Sequence, residues 1–97
     1  MAQYFKVYDW TGGIGLTSDE RLVYSLILHF TENGQGFFAG YKGLSERLGI
    51  IKPVCKAATD HLLEIGAITE SAETIFRRTR KVFRATKFFV DQYQDMY

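Results

Sequence analysis

The sequence predicts an α+β domain in which three helices form the body and a two-stranded antiparallel ribbon follows them. Three observations predict it. Glycine and proline punctuate two helical stretches, residues 41–48 and 53–65, around a tight turn at Gly49. Thr17 and Glu20 have capping-box spacing ahead of a third apolar-periodic stretch, residues 18–31. Residues 67–76 and 81–90 read as two strands, the second laden with arginine and lysine.

In chain order, residues 4–10 alternate weakly and are rich in aromatics, which predicts a short strand or extended arm laid on the core. Gly12, Gly13 and Gly15 make the next stretch a loop, so residues 1–15 form an N-terminal arm of a single 1–97 domain. The first helix is expected to bury Leu22, Val23, Leu26, Ile27 and Phe30, and Asn33, Gly34 and Gly36 stop it. Phe37 and Phe38 suggest a short strand. In the second helix Leu44 and Leu48 face inward, and in the third Cys55, Ala58, Leu62 and Ile65 share one narrow stripe. The opposite face of that helix carries Lys52, Lys56, Ala57, Asp60 and Glu64 and is free to meet a partner.

The ribbon's turn is expected near Arg77, Arg78, Thr79 and Arg80, with a tip at residues 71–74 as the competing register. No Gly or Asn marks either position. Residues 91–97 form a tail. Between Phe76 and Phe88 lie Arg77, Arg78, Arg80, Lys81, Arg84 and Lys87 with no acid among them, while Glu70 and Glu73 precede the run and Asp91 and Asp95 follow it. A net charge of +1 over 97 residues therefore hides a local cationic patch. Cations on a strand edge also serve simply to discourage edge-to-edge pairing.

Composition bounds the rest. A hydrophobic fraction of 46% suits a packed core and argues against disorder. The single cysteine, Cys55, excludes an internal disulfide and suits a reducing, cytoplasmic setting. No apolar run approaches about 18 residues, and no basic-then-apolar signal opens the chain. Cys55 reads as a small buried hydrophobe. His29 and His61 lie on separate helices without metal-ligand spacing, and Glu20, Glu46 and Glu64 read as unpaired helix-surface acids. Neither GxGxxG nor a Walker pattern occurs, so the expectation is a non-enzyme without cofactor or metal.

The stretch Leu44, Ser45, Glu46, Arg47, Leu48, Gly49, Ile50, with the helix ending Leu62 to Ile68, resembles the core of winged helix-turn-helix domains. With the upstream run from Leu16 to Ile27 and the loop at residues 33–38, it is similar to the DNA-binding domain that opens replication initiators of phages and Gram-positive plasmids. It also looks like small winged-helix accessory factors that help a relaxase at the transfer origin of conjugative plasmids. The resemblance covers residues 4–90 and implies that the ribbon is the wing. It implies a double-stranded DNA-binding protein of a mobile element, contacting DNA through Lys52, Lys56, Ala57, Asp60, Arg77, Arg78, Thr79, Arg80, Lys81, Arg84 and Lys87.

On that reading the wing supplies more affinity than the helix, since Lys52 and Lys56 are offset by Asp60 and Glu64. Ending at Tyr97, the chain is expected to act as a free-standing accessory factor that recruits a relaxase or replication protein; as a fragment it would be the initiator itself. A homodimer is expected, through residues 4–10 and 91–97 or through Phe88, Phe89, Tyr93 and Tyr97. A transcriptional regulator at an operator and a winged-helix protein–protein module are the alternatives.

Overall fold

Helix α1 (Ser18–Glu32) begins where the sequence says it should. The Glu20 amide donates to the Thr17 hydroxyl at 3.2 Å, and the Glu20 carboxylate accepts from the Thr17 amide at 2.9 Å. This satisfies two amides that a helix start leaves unpaired. The computed structural model describes residues 7–94. Within it α1 is the central element: Val23, Tyr24, Leu26 and Ile27 are fully buried, while Leu22 and Phe30 are half-buried.

Helices α2 (Gly40–Leu48) and α3 (Lys52–Glu64) follow. Gly49 ends α2 at φ 70°, a left-handed conformation that any β-carbon would strain, and its amide returns to the Ser45 carbonyl. Pro53 lies in the first turn of α3, where its missing amide hydrogen costs nothing. Leu44, Cys55, Ala58 and Leu62 are buried, as the helical period predicts, and Leu48 is half-buried. Ile65 departs from that prediction: it is the C-cap residue of α3 and is exposed, because the chain has left the helix before its side chain reaches the core.

Strands β1 (Ile68–Ile75) and β2 (Arg78–Ala85) pair antiparallel, from Ile68 opposite Ala85 to Ile75 opposite Arg78. The turn is therefore the two residues Phe76 and Arg77, which overlaps the expected position at Arg77 and excludes the competing tip at residues 71–74. The Phe37–Phe38 strand reduces to one bridge, in which Phe37 exchanges both backbone bonds with Phe83 at 2.8 and 2.9 Å. Pleating buries Phe37 and leaves Phe38 exposed.

Two further corrections concern the ends. The predicted strand over 81–90 stops at Ala85, and Lys87–Gln94 is a helix, α4. Thr86 makes the break: its hydroxyl donates to the Gly66 carbonyl at 2.6 Å and accepts from the Phe89 amide, capping α4. Residues 91–94 are thus helix rather than tail, and residues 95–97 lie outside the described residues. At the other end, the predicted arm is a short 3-10 helix, Asp9–Gly13, with Trp10 and Thr11 buried. Residues 1–6 also lie outside the described residues.

The two ends meet on α1. Trp10 packs edge-on against Tyr24 at 5.7 Å, Tyr24 against Phe89 at 5.4 Å, and Phe89 against Tyr93 at 4.7 Å. Aromatic pairs in this geometry add about 0.5–1.5 kcal/mol each beyond the area they bury. Trp10 and Phe89 are thereby committed to the core and Tyr93 is half-buried against it, while Phe88 remains exposed. No helix among the described residues is long and apolar enough to cross a membrane.

Candidate nucleic-acid interface

The outward face of α3 presents Lys52, Lys56, Ala57 and Asp60, all exposed, as the helical spacing predicts. Lys56 Nζ lies 2.8 Å from Asp60 Oδ2, one turn on. The Asp60 carboxylate holds the Lys56 ammonium above its ordinary pKa; Tyr41 adds a smaller push and Lys81 opposes it. Tyr41, in the first turn of α2, also receives Lys81: Nζ lies 3.4 Å from the phenol oxygen and 5.3 Å from the ring centroid. The outward face of α3 and the ribbon thus adjoin through Tyr41, which the sequence places only at the start of the second helix. Its place opposite the ribbon is a tertiary fact with no local signal.

Alternation along β2 divides the basic run. Thr79 and Lys81 share the face of Phe83, which packs on the helical body, and Arg78, Arg80 and Arg84 share the face of Val82. That second face is closed by the loop before α2. A β-carbon on Gly36 would come within 2.3 Å of Val82 Cγ1 and 3.0 Å of the Arg84 guanidinium, so only glycine permits this approach. Lys87 leaves the run altogether, because it opens α4. The predicted single cationic patch is therefore three separate groups.

The flanking acids change the charge as well. The antiparallel register folds β1 back over β2, which carries Glu70 and Glu73 onto the cations they only flanked in sequence. Lys81 Nζ lies 2.9 Å from Glu70 Oε1. Arg84 clasps Glu73 with both terminal nitrogens, and the Ser71 hydroxyl donates to the same carboxylate at 2.7 Å. The Arg84 guanidinium first, then Ser71, hold the Glu73 carboxyl well down, from 4.5 to about 2. Glu73 stands directly across from Arg80 in the register, but Arg84 occupies it. Among the described residues no carboxylate pairs with Lys52, Arg77, Arg78, Arg80 or Lys87.

Those unpaired arginines sit at the tip. Phe76 and Arg77 have φ 51° and 65°, the two-positive pattern of a type I′ hairpin turn, which Asn and Gly ordinarily fill. Each side chain held there costs roughly 1–2 kcal/mol. Burial is confined to the base of the ribbon, at Ile68, Val82 and Phe83, while Phe76 is 85% exposed.

Two expectations about other polar groups are settled at the same time. Glu20, expected as an unpaired surface acid, is buried, and its Oε2 lies 2.5 Å from His61 Nδ1, joining α1 to α3. Cys55 is fully buried, its thiol donating to the Ile50 carbonyl at 3.6 Å, and burial pushes its pKa up, away from the nucleophilic thiolate.

No family model matches this chain, and no curated protein matches it. A solved structure of a point mutant of ZitR from Lactococcus lactis is similar over 87% of the chain, with a TM-score of 0.59 and 19% sequence identity. The chain spans 52%, about half, of that protein's length. At this identity the likeness bears on architecture, and together with the helix-turn-helix and the hairpin it establishes the fold as winged helix-turn-helix.

Proposed function

We propose that this chain binds double-stranded DNA, laying the outward face of α3 along a groove while the wing reaches an adjacent stretch of backbone. The observation that carries the reading is the junction at Tyr41, where the exposed face of α3 and the body-side face of the wing form one surface. Toward the tip of the wing stand Arg77 and, on the ribbon's other face, Arg78 and Arg80, cations that no carboxylate neutralises among the described residues. Neutralised phosphates release counterions, and guanidinium groups fit guanine edges or a narrow minor groove.

The wing, on this reading, supplies more affinity than α3, whose Lys56 is already held by Asp60. The double variant Arg78→Glu with Arg80→Glu is expected to weaken duplex binding by tenfold or more and to flatten the salt dependence by about one unit of slope per lost contact. Lys56→Ala is expected to cost less. Fluorescence anisotropy on a labelled duplex over a salt series measures both; the opposite ranking overturns the assignment of affinity to the wing.

The biological setting we propose is an origin region of a mobile genetic element, for conjugative transfer or replication. There the protein, as a homodimer, marks DNA for a relaxase or replication protein. The support for it is the similarity of residues 16–27, 33–38 and 44–68 to replication initiators and relaxosome accessory factors. An operator-binding transcriptional regulator is the second reading, favoured by a fold that serves it equally well. Footprinting on the DNA that neighbours the gene separates them: protection within an origin supports the first, and protection across a promoter supports the second. Binding to a protein partner through the same surface, with no affinity for duplex in dilute salt, would replace both.

A further inference from the structure

We infer that Phe76, at the tip of the wing, is a wedge that enters between base pairs and distorts the duplex; this rests on the duplex-binding reading above. Three observations converge on it. The ring is 85% exposed, the most exposed large apolar side chain among the described residues. It occupies a left-handed turn position where Asn would be unstrained, so the tip holds a phenyl group against both its solvent and its backbone preferences. On its C-terminal side stand Arg77 and Arg78, two exposed cations without a carboxylate partner among the described residues, suited to the phosphates on either side of an opened step.

The ribbon gives the ring its reach. The base is anchored by the Phe37–Phe83 bridge and by the Ala85 amide, which donates to the Thr31 hydroxyl at 2.9 Å. From Phe83 to Arg78 the strand runs roughly 17 Å at about 3.4 Å per residue, enough to place the tip beyond the helical body. Apolar side chains inserted at a base step unstack it and kink the duplex, and pyrimidine–purine steps yield most easily. Among the described residues the Phe76 ring is the group placed to do so, with the arginines holding the strained backbone.

The test uses a duplex of about 30 base pairs with 2-aminopurine at a central TA step and a donor–acceptor dye pair on its ends. The wild-type chain is expected to raise the 2-aminopurine fluorescence and shorten the end-to-end distance. Phe76→Asn keeps the turn, since Asn suits the left-handed position, and is expected to lose both signals with about a tenfold loss of affinity. Phe76→Leu is expected to retain part of both. Bending by Phe76→Asn equal to wild type, or wild-type binding with no change in either signal, overturns the wedge and leaves duplex binding standing. No binding of the wild-type chain in dilute salt overturns the duplex reading, and the wedge with it.

Discussion

Tyr24 lies at the centre of the aromatic cluster, fully buried, with Trp10 and Phe89 edge-on to its ring. Among the described residues its hydroxyl nevertheless has no hydrogen-bond partner, and burial pushes the phenol pKa up, with Glu32 and Tyr8 adding to the rise. A buried hydroxyl that makes no bond forfeits its hydration without return, so Tyr24→Phe is expected to hold or raise stability by about 1 kcal/mol. Tyr24→Ala, which empties the cluster, is expected to cost about 3–5 kcal/mol. Denaturant midpoints decide it, and a clear loss in the Phe variant would reveal a bond the hydroxyl makes. Glu73 is the opposite case, an exposed group with strong partners. Its folded pKa is depressed from 4.5 to about 2, so the clasp's stabilisation is full above about 4.5 and is lost as pH falls toward 2. Solvent screening keeps that stabilisation small. The side-chain carboxyl carbon shift of Glu73 is expected to titrate near 2 and to return toward 4.5 in Arg84→Gln; identical titrations would remove the clasp.

Among the elements, those with a covalent or capping cause were legible in the sequence, and those set by tertiary contact were not. The starts of α1 and α3 and the end of α2 follow from Thr17 with Glu20, from Pro53 and from Gly49, whose effects act within one turn. The hairpin register had no such marker. Phe76 and Arg77 adopt a turn that Asn-Gly would announce, and without it the sequence places the tip about two residues late, over residues 77–80. The expected register would set Glu70 across from Lys87; the observed one sets it across from Phe83, within reach of Lys81. The aromatics of α4 continue those of β2 and so carry a strand signal into the helix; Thr86 followed by Phe89, Val90 and Tyr93 is the cap and face that mark it. Gly36 was legible as a turn glycine but its reason was not: it makes room for Val82. Gly36→Ala is expected to lift the base of the wing and cost about 1–3 kcal/mol, with faster amide exchange at Phe83. Unchanged exchange would show that the loop, not the wing, gives way.

For the molecule as a whole, the arrangement of charge matters more than its sum of +1. Three cations near the helical body are matched, Lys56 by Asp60, Lys81 by Glu70 and Arg84 by Glu73, whereas among the described residues Arg77, Arg78 and Arg80 toward the tip are not. On the duplex-binding reading, a phosphate approaching the matched cations competes with a carboxylate already in place, so those sites are expected to add little to nonspecific affinity and to repel a misplaced backbone. One approaching the tip meets open guanidinium groups. Removing the two ribbon acids together, Glu70→Gln with Glu73→Gln, frees Lys81 and Arg84 without touching a cation. Nonspecific duplex affinity is then expected to rise about tenfold or more in dilute salt, and the salt slope to steepen by about two units, one for each freed cation. Specificity is expected to fall, because the new contacts are to backbone alone. The wild-type slope and the variant slope on the same duplex measure the difference directly. Equal slopes would mean that the ribbon's flanks never meet DNA, leaving only α3 and the tip in contact with it.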